Sequence, residues 1–193
     1  LDIVLNFMIA GRDTTASALS WTTVELLRKP ETLAKVRAEI QAVLPAPSPG
    51  SDVDATSFFS AVYNKLPYLK AASSEALRLH PSVMKDGKFA LKDDKLPDGT
   101  RVRKGQYVAY SPYVLGRHPD LWDEPNEFKP ERFCEANNAA DDSGGGNGGS
   151  LYAPTQAVSD YKLPVFNAGP RVCLGRPLAY LEIQLLLAFL LQR

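Results

Sequence analysis

One ten-residue stretch, residues 166–175, constrains this chain more than any other because it places a single cysteine immediately before a helical pattern. Cys173 is expected to face the unpaired backbone N–H groups and the positive dipole end at the start of that helix, and both favour thiolate over thiol. Gly169 and Gly175 carry no side chain, so a flat ligand could approach the backbone closely there. The stretch therefore predicts a thiolate beside a ligand site.

Two further side chains suggest what the ligand is. Phe166 can supply an apolar floor, and Arg171 can pair with a carboxylate on the bound group. A thiolate in this setting suits an axial haem ligand, which pushes electron density onto iron. The plain alternative is that Cys173 is a small core residue, because free cysteine is often buried.

The full pattern, Phe-x-x-Gly-x-Arg-x-Cys-x-Gly, fixes five residues at set offsets. It resembles the haem-binding loop of the cytochrome P-450 superfamily, the haem-thiolate monooxygenases. The resemblance implies haem b with Cys173 as the ligand of its iron, and with Phe166, Gly169, Arg171 and Gly175 in the cofactor site. It also implies a mainly α fold with small antiparallel β-sheets, the carboxy-terminal portion of the P-450 fold.

Composition excludes several other classes of protein. The chain has 193 residues, with 22 Lys and Arg against 22 Asp and Glu, so net charge gives no case for nucleic-acid binding. Two cysteines without Cys/His metal spacing indicate neither a disulfide framework nor a zinc site. The apolar run at residues 185–191 is far shorter than the ~20 residues of a membrane span and predicts a buried helix.

Residues 1–29 predict one long helix that Pro30 ends, with an apolar stripe along its first turns. Residues 10–15 interrupt this stripe. Local signals alone favour a different interpretation, in which Asp13 and its neighbours form an N-cap and a second helix begins at Thr15.

The same six residues, Ala-Gly-x-Asp-Thr-Thr, resemble the family's central-helix motif beside the distal face of the haem. The resemblance implies that Ala10 and Gly11 leave space for dioxygen and that Thr14 offers a hydroxyl to it. Asp13 would belong to the route that delivers protons. Asp13 and Thr14 are therefore the expected catalytic residues, and the continuous helix becomes the preferred prediction.

A predicted helix at residues 67–81 places Glu75 and Arg78 three positions apart on one face. The common alternative is a surface ion pair worth well under about 1 kcal/mol. Glu-x-x-Arg also resembles the family's second signature, in which both residues pair with an arginine in a Pro-Glu-Arg-Phe segment. Arg132 occupies that position, so the resemblance implies a buried structural triad.

The remaining elements follow from periodicity and turn residues. The sequence predicts helices at residues 31–43, 58–66 and 111–115, strands at 88–91, 101–103 and 107–110, and a low-complexity surface insertion at 135–150, expected to be disordered. Lys88 stands where many family members carry an arginine that contacts a haem propionate. Lysine keeps the charge but loses the bidentate fork.

Residues 85–100, 110–113, 116–117, 166–171 and 178–180 are similar to the fatty-acid ω-hydroxylases of plants, algae and oomycetes. The resemblance implies insertion of one atom of dioxygen at the terminal carbon of a long-chain fatty acid or another aliphatic chain. It also implies an NADPH-dependent flavoprotein reductase as electron source. A full-length parent is expected on the cytosolic face of the endoplasmic reticulum membrane.

Compared with the family pattern, residues 1–193 are expected to be a partial P-450 domain, from the central helix to the helix after residues 166–175, which are called the cysteine loop. The chain is expected to carry no membrane anchor and to be inactive alone. Three alternatives stay open. The chain could be a non-catalytic haem-binding remnant, or a relative that rearranges hydroperoxides, against which Asp13 and Thr14 argue. A helical module without haem is the third.

Overall fold

The computed structural model describes residues 2–44, 55–136, 152–154 and 158–192. Six α-helices lie in this part of the chain: α1 (Asp2–Arg28), α2 (Pro30–Val43), α3 (Ala55–Lys65), α4 (Pro67–Leu79), α5 (Pro112–Leu115) and α6 (Arg176–Leu191). Six short strands accompany them: β1 (Asp86–Phe89), β2 (Asp94–Lys95), β3 (Arg101–Val102), β4 (Tyr107–Tyr110), β5 (Cys134–Ala136) and β6 (Tyr152–Pro154). Single 3-10 turns occupy Pro130–Arg132, Pro164–Phe166 and Gly169–Arg171.

The strands form three separate antiparallel pairs, β1 with β4, β2 with β3, and β5 with β6. The prediction of a mainly helical fold with small antiparallel sheets is therefore confirmed. None of the helices in the described part of the chain combines the length and the apolar character needed to cross a membrane.

The core is organised around α4, whose residues are almost all buried. Helices α1, α2 and α6 pack around it, and Val36, Ile40, Leu69, Ile183 and Leu187 are nearly inaccessible to solvent. Pro67 begins α4 without a local capping side chain. A buried carboxylate of α2 takes that place, because Glu39 accepts hydrogen bonds from the backbone N–H groups of Tyr68 and Leu69, each at 2.9 Å.

Helix α1 runs without a break from Asp2 to Arg28. The prediction of one long helix ended by Pro30 is confirmed, and the alternative of a second helix starting at Thr15 is wrong. The Thr14 hydroxyl donates a hydrogen bond to the Ala10 carbonyl at 2.6 Å, so it bonds within the helix instead of capping a new one.

Some details differ from the predictions. Strand β1 begins at Asp86 and ends at Phe89, two residues earlier than expected, because it pairs in register with β4. Residues 185–191 lie in α6, but only one face is buried, and Leu186, Phe189 and Leu190 are about half exposed. Residues 135 and 136 of the predicted insertion belong to β5. Residues 137–150 of the predicted insertion lie outside the described residues.

Candidate active site

The cysteine loop joins the turn Pro164–Phe166 to the first turn of α6. Its conformation is held by backbone hydrogen bonds, because the N–H of Cys173 donates to the Phe166 carbonyl at 2.7 Å and that of Val172 to the Gly169 carbonyl at 3.1 Å. Gly169 has φ of +61°, a left-handed conformation that favours glycine. Gly175 is the N-cap of α6. The loop thus brings Cys173 to the start of a helix.

The two cysteines lie in opposite environments. Cys134 is buried, and burial raises the pKa of its thiol to about 12. Cys173 is exposed, and among the described residues nothing hydrogen-bonds to its thiol. The alternative that Cys173 is a small core residue is therefore wrong for this structure.

The cysteine loop and α1 share a cavity of about 230 Å³. Helix α1 contributes Ala10, Thr14, Thr15 and Ala18 to its wall, and the loop contributes Phe166, Asn167 and Cys173. The structure thus brings together four residues predicted from two distant motifs, namely Ala10, Thr14, Phe166 and Cys173. Small side chains on α1 leave the cavity open beside the thiol.

The other predicted residues of α1 are placed differently. The Asp13 side chain points to solvent, 84% exposed, and its carboxylate lies 3.5 Å from the Arg12 guanidinium. Gly11 has open space around its Cα, because a Cβ built there would meet nothing within 4 Å. Asp13 is therefore next in sequence to Thr14, which lines the cavity, but Asp13 itself does not line it.

The two predicted cations lie outside the cavity wall. Arg171 is exposed on the turn Gly169–Arg171. The Lys88 ammonium lies 3.3 Å from the Asp86 carboxylate, within strand β1. Asp86 itself lines the cavity. Its pKa lies below the usual value because the Gly87 N–H and the Lys88 and Tyr110 side chains hydrogen-bond to the charged carboxylate.

The predicted ion triad is buried. Two nitrogens of Arg78 each lie 2.7 Å from a different oxygen of Glu75, and both side chains are inaccessible to solvent. Arg132 donates to the same carboxylate at 3.2 Å, with its side chain 14% exposed. The remaining Arg78 hydrogens reach backbone carbonyls, those of Gly116, Pro125 and Glu127.

Sequence reasoning missed three residues at the site, namely Asp86, Tyr110 and Asn167. The Tyr110 hydroxyl lies 3.2 Å from an Asp86 oxygen and also forms a short hydrogen bond with the side chain of Asn167. An Asp-Gly pair beside a predicted strand was the only local signal. Their meeting depends on the β1–β4 register, which places Asp86 opposite Tyr110.

The thiol and the apolar side chains of the site are chemically suited to the cofactor that the sequence predicts. An exposed thiol at a helix start is a suitable axial ligand, and Phe166 and the small residues of α1 offer apolar walls. Gly175 faces the ring of Phe7, since a Cβ there would lie 3.7 Å from Phe7 Cε1 and 3.8 Å from the Cys173 sulfur. A Cβ at residue 175 would therefore be in van der Waals contact with both Phe7 and the thiol.

Comparison with known proteins identifies the class to which this fold and loop belong. The family model described as Cytochrome P450 matches residues 1–193. The chain belongs to the cytochrome P450 family.

Three relatives illustrate the similarity. "Cytochrome P450 CYP94D108" of Paris polyphylla is 38% identical over 100% of this chain and 35% of its own length. "Cytochrome P450 704C1" of Pinus taeda is 37% identical over 99% of the chain and 35% of its own length. "Cytochrome P450 monooxygenase cyp1" of Mycosarcoma maydis is 39% identical over 94% and 26%. The chain therefore spans about a third or less of the length of these relatives.

Proposed function

We propose that this chain forms the part of a cytochrome P450 monooxygenase that holds haem b through the Cys173 thiolate. Residues 1–193 are then a partial P450 domain, with an insertion within residues 135–150. One observation carries the proposal: the free, exposed thiol of Cys173 opens onto the same cavity as Ala10 and Thr14 of α1.

In this proposal the bound haem supplies the activation of dioxygen needed to insert one oxygen atom into the substrate. Cys173 provides the ligand, and Phe166 provides an apolar wall. Gly169 and Gly175 leave the backbone accessible to a flat group. Each of these roles belongs to the cysteine loop.

Two cations are the proposed partners of the haem carboxylates. Arg171 has no bonding partner among the described residues, so its guanidinium is available for a bidentate pair. Lys88 is already paired with Asp86 at 3.3 Å. It would therefore have to share its ammonium between Asp86 and the cofactor.

Helix α1 is proposed to provide the oxygen side of the site. Ala10 and Thr14 line the cavity, and Gly11 leaves open space in the same turn. Asp13 lies on the solvent face of the same turn, where it can take up protons from bulk water and pass them inward.

We propose an aliphatic substrate, a fatty acid hydroxylated at its terminal carbon. The resemblance of residues 85–100 and of the cysteine loop to fatty-acid ω-hydroxylases supports this choice. The same resemblance supports an NADPH-dependent flavoprotein reductase as the electron donor, and the cytosolic face of the endoplasmic reticulum for a full-length parent.

The test is the carbon monoxide difference spectrum of the chain after reconstitution with haem and reduction. Thiolate ligation should give a strongly red-shifted Soret band that is lost in Cys173→Ser and kept in the matched variant Cys134→Ala. A histidine-type spectrum, or a band that survives Cys173→Ser, would contradict ligation by Cys173.

A second candidate function is haem binding without turnover. The solvent exposure of Cys173 favours it for the isolated chain, because a monooxygenase site must keep water from the reacting groups. Haem uptake with no oxidation of fatty acids, by the chain supplied with NADPH and reductase, would support this function. Substrate turnover by the 193-residue chain would contradict it.

A further inference from the structure

A chain of three polar side chains connects the β1–β4 sheet to the cysteine loop. Asp86 and Tyr110 are directly opposed residues of the two antiparallel strands, so their side chains lie on one face of the sheet. The Tyr110 oxygen lies 3.2 Å from Asp86 and forms a short hydrogen bond with the side chain of Asn167. Asn167 is a residue of the loop, next to Phe166.

The direction of these hydrogen bonds follows from counting protons. A tyrosine hydroxyl has one hydrogen to donate, whereas a carboxylate only accepts. Asp86 is a strong acceptor whose other oxygen is held by the Gly87 N–H at 2.6 Å. The Tyr110 hydroxyl donates to the side-chain oxygen of Asn167, which is its nearer acceptor, and it lies 3.2 Å from its second acceptor, Asp86. Tyr110 thus joins the Asn167 side chain to strand β1.

Asn167 needs such an anchor because its backbone is strained. Its φ of 60° and ψ of −174° lie in a region occupied almost only by glycine. A residue is kept there only where its surroundings hold it. On one side of Asn167, the Phe166 carbonyl accepts the hydrogen bond from the Cys173 N–H at 2.7 Å. Movement of Asn167 would displace that carbonyl.

We propose that Asp86, Tyr110 and Asn167 form a clamp that positions Cys173 through the Phe166 carbonyl. The three are positioning residues, since they act on the thiol through the loop backbone. The clamp rests on the proposed function only where it predicts an effect on the ligation of a bound haem by Cys173. The clamp itself is a property of the chain and can be tested without the cofactor.

The first test is amide hydrogen exchange of the chain without haem. Tyr110→Phe keeps the ring and removes the hydroxyl, and Asn167→Gly removes the amide without adding backbone strain. In both variants the Cys173 N–H should exchange about five to ten times faster, the effect of one lost hydrogen bond. Tyr107→Phe is the matched control, because Tyr107 lies on the opposite face of β4 and should leave exchange unchanged.

The N–H groups of Tyr68 and Leu69, held by buried Glu39, report on global stability. A faster Cys173 exchange with unchanged exchange at these two groups supports the clamp. An unchanged Cys173 exchange overturns the clamp, because the three side chains would then have no effect on this N–H. An equal acceleration at all three N–H groups also overturns it, because the side chains would then stabilise only the fold as a whole.

The reduced carbon monoxide spectrum separates this inference from the proposed function. In the haem-loaded chain, Tyr110→Phe should convert part of the thiolate-type Soret band to a thiol-type band, whereas Tyr107→Phe should not. Absence of haem uptake by the unaltered chain would refute the proposed function, and hydrogen exchange alone would then decide whether the clamp exists. A spectrum that Tyr110→Phe leaves unchanged would refute the clamp alone.

Discussion

The Thr14 hydroxyl has one proton, and the structure directs it to the Ala10 carbonyl at 2.6 Å. In this state the hydroxyl oxygen can only accept a hydrogen bond from any further group. To donate to a group in the cavity, the hydroxyl must rotate away from Ala10. The proposed role of Thr14 thus includes a local rearrangement of one hydrogen bond.

We expect Thr14→Ala, placed in the full-length parent, to lower the amount of product formed per reductant consumed several-fold, since a positioned proton donor is lost. Product formation and NADPH oxidation, measured together, check this. Thr23→Ala is the matched control, because Thr23 makes the same type of bond to the Leu19 carbonyl but does not line the cavity. Full coupling in Thr14→Ala would refute the proposed role.

Glu75 illustrates the different demands on a structural residue. Its carboxylate accepts hydrogen bonds from Arg78, Arg132 and the Lys129 N–H, and none of it reaches solvent. Replacing the carboxylate by an amide would leave the Arg78 guanidinium buried without a counter-charge. The backbone carbonyls around Arg78 accept hydrogen bonds from its guanidinium, but they are neutral and do not balance its positive charge.

We therefore expect Glu75→Gln to lower the free energy of unfolding by about 3–5 kcal/mol. Urea unfolding near neutral pH measures this. Glu127→Gln is the matched control, since the Glu127 side chain is about half exposed and pairs with Lys29 on the surface. Its effect should stay within about 0.5 kcal/mol. Equal effects of the two substitutions would show that burial does not govern this triad.

At the scale of elements, local patterns predict most helices well. The position of Pro67 was enough to begin α4, whereas one continuous α1 was preferred only because residues 10–15 resemble the family's central-helix motif. The cap of α4 could not be predicted in this way. The residue before Pro67 is Leu66, which cannot cap, and the carboxylate that does so comes from Glu39, 29 positions before Tyr68. Only tertiary packing of α2 against α4 brings them together.

That arrangement leads to a prediction about Glu39. Its two oxygens each accept one N–H from the first turn of α4, where the helix dipole also favours negative charge. Glutamine can accept only one of these bonds and turns an NH₂ group toward the other donor. We expect Glu39→Gln to lower the free energy of unfolding by about 2–3 kcal/mol.

Thermal and urea unfolding measure the effect of Glu39→Gln. Glu31→Gln on the exposed side of the same helix is the control, and it should change stability by no more than about 0.5 kcal/mol. If the two variants unfold alike, the cap does not stabilise α4.

At the scale of the whole molecule, the candidate site combines what motifs reveal with what register decides. Ala10, Thr14 and Cys173 belong to motifs whose spacing is visible in the sequence, and their cavity could be anticipated. Asp86 and Asn167 could not, because they meet only through Tyr110 and the β1–β4 register. The half-exposed apolar face of α6 was also unpredictable, since composition alone cannot tell which face of an apolar helix is covered.

Carboxylates that hold distant parts of the chain together also set its response to acid. Glu131 accepts hydrogen bonds from Lys35 of α2 at 2.6 Å and from the Tyr68 hydroxyl of α4 at 2.8 Å. Partial burial alone would raise the pKa of Glu131, but these two hydrogen bonds outweigh it and hold the pKa below the usual 4.5. The pKa values of Asp86 and Asp98 are also lowered, by hydrogen bonds to neighbouring backbone N–H groups.

The sign of the pH dependence follows from these directions. A carboxyl whose pKa is lower in the folded chain binds fewer protons there than in the unfolded chain, so stability rises with pH across that interval. The contribution of Glu131 is complete above its ordinary pKa of 4.5 and is lost as the pH falls through its lower folded value. We expect the urea midpoint to fall between pH 6 and pH 3, and Glu131→Gln to make this fall smaller. Glu31→Gln, which leaves the link between α2 and α4 intact, should preserve the full slope, and an equal slope in Glu131→Gln would mean that this link does not contribute to acid sensitivity.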